Sequence, residues 1–371
     1  MGLAGREAGR LRAYGSGGPA GSAAKTVFAA LESRRWKTRV LKAALLALLL
    51  VAIGIAVCLG AANVPLADLF RALGLPAGPD TPDSLLNQRI ILELRLPRVL
   101  LAALVGASLA LAGATFQALF RNPMADPYVI GVSSGASLGA TVAMLLAVDL
   151  RFFGIGAVPL FAFVGAVGTV LLVSRLGRVG ASVSLSTLLL AGIAVGSFFS
   201  AIVSLLVYFA GDRLHQVIFW LMGGFDGANW PYVRLALPYF VLGTAAILVH
   251  TRELNILLLG EETAGQLGVD VERAKRWLLS GAALLTATAV STSGVIGFVG
   301  LIVPHVLRML GGPDHGFLLP ASALAGAALM VAADTLARTL IAPTELPVGL
   351  ITALSGGPFF IYILRSRQRI P

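Results

Sequence analysis

Few residues in this chain have the types and spacing that chemistry needs, and none of them forms a catalytic set. The nearest approach to a phosphate-binding loop is the run Ala20–Thr26, which ends in Lys25 and Thr26. Such a loop wraps phosphates with backbone N–H groups, so it needs glycine directly before the lysine and again at its start. Those two places hold Ala24 and Pro19, which excludes ATP binding by that route. Ser134 lies in Val132-Ser133-Ser134-Gly135 and not in a Gly-x-Ser-x-Gly elbow. His215, His250, His305 and His315 are scattered, no His-Glu-x-x-His pair is present, and Cys58 is the sole cysteine. An intrachain disulfide is therefore impossible, and no metal-ligand spacing stands out. Charges within apolar runs are costly and usually functional. They reduce to Asp334, Arg338 and Arg308. Asp334 and Arg338 stand at i, i+4 on one helix face and can simply pair. A proton- or sodium-coupled carrier needs a carboxylate deep in the membrane. Asp334 is the single candidate, and it sits late in its run, which points to an energy source outside this chain.

The elements that must position these residues are apolar throughout. Of the 371 residues, 57% are hydrophobic and 12% charged, and the mean hydropathy is +0.88. Soluble domains run nearer 45–50% apolar and about 25% charged. A soluble enzyme, a disordered chain and a disulfide-stapled secreted domain are excluded, and an all-α polytopic membrane protein remains. About 20 apolar residues cross a bilayer as a helix. Ten such stretches are expected: 41–62, 97–120, 127–148, 155–174, 183–209, 232–251, 277–294, 296–310, 318–337 and 346–364. Residues 63–96 read as a loop, and 211–231 as a short interfacial helix and a turn.

Residues 1–39 form a basic extension that composition reads as disordered, 40–365 the membrane domain, and 366–371 a tail. The first 42 residues hold nine basic and two acidic side chains. Positive flanks stay in the cytoplasm, so both termini are expected there. The charges come without an aromatic base-stacking set, so nucleic acid is not an expected partner, whereas membrane lipid is. Many of the 43 glycines fall at small-xxx-small spacing, such as Gly106 with Ala110, which lets helices approach closely.

The most informative polar segment is Leu254–Asp270. Leu258, Leu259, Ala264 and Leu267 give it an apolar side, and Gly268 can end one short helix and reverse the chain into another. A helix–Gly–helix of this kind can seat in a groove on a soluble partner.

That segment resembles the coupling loop of the type II ABC importer permeases, the family that takes up iron chelates, haem and cobalamin. Further stretches match in the same order: Arg95-Leu96-Pro97-Arg98; Gln117 and Arg121-Asn122-Pro123-Met124-Ala125-Asp126-Pro127; Gly131-Val132-Ser133-Ser134-Gly135; Trp220-Leu221-Met222-Gly223-Gly224; Gly297-Phe298-Val299-Gly300 with Pro304-His305; Ala333-Asp334 with Arg338; and Glu345-Leu346-Pro347-Val348-Gly349. The resemblance implies a homodimer of ten-helix chains with the path between them. It implies two ATPase subunits on coupling helices at about 258–276, through Glu261, Glu262, Gln266, Leu267, Gly268, Val269 and Asp270. Arg95, Arg98 and Arg338 would meet acidic residues of a periplasmic substrate-binding protein. Gln117, Asn122, Met124, Ser133, Ser134, Leu185 and Leu189 would line the path and its inner gate, with Leu185 where the family can carry a smaller polar residue. The chain itself would not be an enzyme and would hold no cofactor, since the ATPase subunits bind ATP and Mg. A small, weakly polar path implies loose binding and no metal ligand in this chain. The stretches Gly312-Pro313-Asp314-His315 and Gly356-Gly357-Pro358-Phe359-Phe360 look most like the haem-importing branch, with ferric siderophore and cobalamin as alternatives.

Overall fold

The computed structural model describes residues 19–60, 64–72, 74–75, 81–151, 154–180 and 182–367. The first 18 residues of the basic extension and the last four of the tail lie outside them. The chain divides into two units, Met1–Ala44 and Leu45–Pro371. The first helix, α1, runs Pro19–Cys58. Residues 19–39 are therefore helical, against the disorder expected from composition. Their Ala, Leu, Lys and Arg content carries high helix propensity, and Pro19 opens the helix where a missing N–H costs nothing.

Within the second unit, two short helices follow: α2 (Leu66–Ala72) and α3 (Pro82–Arg89). Thr81 caps α3 through a reciprocal box with Ser84. The chain does not loop after α3. A π-helical turn, Ile90–Arg95, carries it without a break into α4 (Leu96–Leu119), so the second apolar helix starts well before the expected residue 97. Next come α5 (Val132–Leu145), entered through a 3-10 turn at Pro127–Ile130, and α6 (Ala157–Leu176). A two-residue hairpin pairs β1 (Arg178–Val179) with β2 (Ser182–Val183). Then follow α7 (Leu185–Tyr208), the short α8 (Leu214–Met222) with its Gly223 turn, and α9 (Trp230–Val249). The polar segment folds as α10 (Thr251–Leu257) and α11 (Glu261–Gln266). The remainder is α12 (Val271–Ser293), α13 (Val299–Gly311), α14 (His315–Thr339) and α15 (Val348–Arg367).

Each expected span falls on a helix, but only six helices among the described residues are long and apolar enough to cross a membrane. α5, α13 and the apolar part of α15 are shorter, and α12 opens on charged residues.

The core is built around α4, which packs against α14, α12, α13 and α9. Its contacts are backbone-close because glycines stand at the crossings. A Cβ on Gly106 would lie 2.2 Å from the Gly326 carbonyl of α14, and one on Gly113 would lie 1.9 Å from the Gly300 carbonyl of α13. α5 makes a similar crossing with α6 at Gly139, where a Cβ would meet Phe161 O at 2.1 Å. By contrast α7 buries little, leaving Leu190, Ile193, Phe198 and Leu205 uncovered.

Candidate functional site

At the start of α4 a buried carboxylate sits between two guanidiniums. Asp334 of α14 accepts from Arg98 Nε at 3.0 Å and Nη2 at 2.8 Å, and lies 3.1 Å from Arg338 Nε one turn later. Arg98 also reaches Glu345 at 2.8 Å and Asp226 at 3.6 Å. The last carbonyls of a helix have no partner within it. Here Arg95 Nη1 donates to Val57 O at 2.9 Å and Cys58 O at 2.6 Å, and Arg338 Nη2 donates to Ala56 O at 3.1 Å. Two arginines thus cap the C-terminal end of α1. Arg95, Arg98 and Arg338 are all buried or nearly so and already bonded within this chain. The outward groups here are Asp226, 64% exposed, and Glu345. Burial and a shared hydrogen bond with Glu345 raise the Asp226 pKa, against the lowering effect of Arg98.

At the other end of α4, Gln117 mends a break in α13. Pro304 has no N–H to give the Gly300 carbonyl one turn before it. Gln117 Nε2 donates to Gly300 O at 3.2 Å and to Leu301 O at 3.1 Å, while its Oε1 accepts from Arg308 Nη2 at 2.9 Å. The approach at Gly113, one turn earlier on α4, brings Gln117 within reach. Its side chain is buried inside this chain and clamps α4 to α13. Asn255 of α10 holds α14 at the same end. It donates to Asp314 Oδ1 at 2.9 Å, and its Oδ1 faces the His315 backbone N–H at 2.9 Å and ring Nδ1 at 2.7 Å. Because that oxygen is an acceptor, the His315 proton resides on Nδ1.

After α4, Arg121 adopts φ +47, and Asn122 Oδ1 accepts from the Met124 N–H at 2.9 Å, an Asx turn around Pro123. Asn122 is exposed and Met124 half-buried. Ser133 and Ser134 are half-buried on α5, with Ser134 donating to Gly131 O at 2.9 Å. Leu185 and Leu189 are half-buried at the start of α7, where Ser184 caps the helix through the Thr187 N–H. A cavity of about 430 Å³ opens below α4, with Gln117, Arg121, Leu258, His305, Arg308 and His315 among its lining.

The segment between α11 and α12 closes in a Schellman motif. The Val269 N–H reaches Ala264 O at 3.0 Å and the Gly268 N–H reaches Gly265 O at 3.0 Å, with Gly268 at φ +81. Asp270 then caps α12 by accepting from the Arg273 N–H at 3.0 Å. Glu262, Gln266, Leu267, Gly268 and Asp270 are exposed, and Glu261 and Val269 half-buried.

Lys275, absent from the candidate residues of the sequence, is the pin of this region. Its Nζ lies 2.7 Å from Glu261 and 2.9 Å from Glu272 and donates to Val183 O at 3.1 Å, while Glu272 accepts from the Val183 N–H at 3.0 Å. Burial pulls the Lys275 pKa down, but the two glutamates outweigh it and the net shift is upward. Burial pushes Glu272 up, yet its bonds to Lys275 and Val183 bring it below its ordinary value. The i, i+3 spacing of Glu272 and Lys275 was the available signal; the contact with the hairpin had none. Among the described residues no cluster of three metal-ligating side chains is found.

Residues 48–366 match the FecCD transport family. The chain is 50% identical over 281 residues to the cobalamin import system permease BtuC of Halobacterium salinarum, covering 76% of this chain and 74% of that one. It is 44% identical over 319 residues to the hemin transport system permease HmuU of Yersinia pestis, covering 84% and 92%. A solved structure described as an inward-facing ABC transporter of metal-chelate type superposes with a TM-score of 0.76 at 35% identity, covering 88% of this chain and 99% of that one. The helices that cross the membrane, the glycine-paired core and this match along most of its length agree: the chain is a multi-span ABC transporter permease and belongs to the FecCD transport family.

Proposed function

We propose that this chain is the permease half of an ATP-driven importer that moves haem from a periplasmic binding protein into the cytoplasm. It works as a homodimer of ten-span chains in the inner membrane, with both termini cytoplasmic. The observation that carries the reading is the exposed Schellman turn between α11 and α12. A rigid, capped helix–Gly–helix with Glu262, Gln266 and Leu267 facing outward is shaped to dock on a soluble subunit. Two ATPase subunits seated there bind the ATP and Mg that this chain does not. The Lys275 clamp fixes the docking helices to the β2 end of α7, so a push on α11 reaches the start of that helix. There Leu185 and Leu189, with Asn122 and Met124, form the inner gate, and Ser133 and Ser134 line the way to it.

At the Arg98 end, a binding protein's carboxylate would have to displace Glu345 or Asp226 from Arg98. Docking there is an exchange of ion pairs rather than a first pairing, which favours weak and reversible contact. Asp334 speaks against the proton-coupled carrier: a carboxylate held between two guanidiniums is a poor proton shuttle.

Cobalamin is the second reading, favoured by the 50% identity to a cobalamin permease. Competition between haem and cobalamin for ATP-dependent uptake by the reconstituted complex separates the two. Uptake of neither, with a ferric siderophore carried instead, would keep the family and replace the cargo.

A further inference from the structure

The cavity below α4 holds about 430 Å³, within the 300–1,000 Å³ typical of small-molecule sites. Its charge is one-sided. Arg121 and Arg308 both line it, and none of its ten lining residues carries a carboxylate. A second cavity, of about 410 Å³ beside α10, differs: Arg252 and Arg273 there are matched by Glu253 and Asp270. Asp314, the acid nearest in sequence, stands outside the wall and is engaged by Asn255. Two guanidiniums at the rim of a concave space concentrate positive potential and favour an anion. The rest of the wall is apolar, with Pro123, Leu258 and Met309. Arg121 is held there in a left-handed conformation that non-glycine residues rarely adopt, at φ +47.

We infer that this cavity binds the anionic end of a large apolar ligand, a carboxylate or phosphate held by Arg121 and Arg308 against the apolar wall. Resting on the importer reading, its natural occupant is the cargo on its way out, through its acidic side chains. The same chemistry could come from an anionic lipid headgroup. Binding is weak, since a path that held its cargo tightly would stall release.

The test uses the full chain in detergent, alone and with its ATPase subunits, with ferric haem as probe in equilibrium dialysis. Arg121→Asn removes the charge while suiting the left-handed backbone, so the fold is kept. It should weaken haem binding about tenfold, as expected for the loss of one charge-assisted hydrogen bond. Arg121→Lys should retain most of the affinity. Haem dimethyl ester, which lacks the carboxylates, should bind the unaltered chain no better than haem binds the Arg121→Asn variant. Equal binding of haem and its ester, or no change in Arg121→Asn, overturns the site. Competition by phosphatidylglycerol but not phosphatidylcholine keeps the anion site and overturns its assignment to cargo. A complex that imports haem yet shows none of these differences refutes this inference alone and leaves the importer reading standing.

Discussion

At the residue scale, Gln117 and Pro304 form one unit, because one supplies the donor that the other removes. Gln117→Leu should leave the Gly300 carbonyl unpaired in an apolar surrounding and cost about 1–3 kcal/mol. In a Pro304→Ala background the missing N–H returns, and the same change should cost less. Thermal unfolding of the four proteins in detergent gives the coupling, and strict additivity would refute the pairing. Lys275 offers a second test. Its partners are 35–40% exposed, so Lys275→Met should cost only about 1 kcal/mol after solvent screening. The pH range of that cost follows from the two shifts. The lysine's share is complete below its ordinary 10.5 and fades as pH rises through its raised value. The Glu272 share is complete above its ordinary 4.5 and fades as pH falls through its lowered value. The Tm gap between the two proteins should therefore stay flat from about pH 5 to pH 10 and close in stronger acid. A gap that vanishes near neutrality would contradict the clamp. The Asp334–Arg338 pair was readable from its i, i+4 spacing. Arg98 as the second partner was not, since 236 residues of chain separate it from Asp334 and only the α4–α14 crossing brings them together.

At the element scale, helix contacts in this fold are set by absent side chains. Gly106→Ala and Gly326→Ala should each force α4 and α14 apart and destabilise by about 1–3 kcal/mol, while Gly54→Ala, with nothing within 4 Å of its added carbon, should be neutral. Equal stability of all three variants would refute the crossing. Gly268→Val meets open space, so it carries only the backbone cost of the left-handed turn, about 1–2 kcal/mol. The variant should assemble with the ATPase, which then hydrolyses ATP without transport; unchanged coupling would count against the loop. Apolar run length located every long helix, because burial in lipid demands it. It missed the continuation of α4 back through the π-turn to Pro82, since residues 82–95 are polar enough to read as loop while Thr81 and Ser84 still cap a helix. It also missed the helix over 19–39, where charge masked good helix formers. The Schellman turn was legible because Gly268 is a local signal.

At the scale of the whole molecule, the proposed importer makes this chain a conduit whose energy comes from elsewhere. Asp334→Asn separates the two rival machines. Here it strips the charge between two buried guanidiniums and should cost about 3–5 kcal/mol, seen as lost expression and early unfolding. A proton-coupled carrier would instead yield a stable, folded protein that no longer transports. The most direct measurement is ATP-dependent uptake in proteoliposomes holding this chain, its neighbouring ATPase and its binding protein. The expected result is an assembled complex whose ATP hydrolysis drives accumulation of haem, with the accumulation, but not the hydrolysis, lost when Gly268 is replaced by Val. A chain that forms no complex with any ATPase, yet moves solute down a proton gradient, would contradict it.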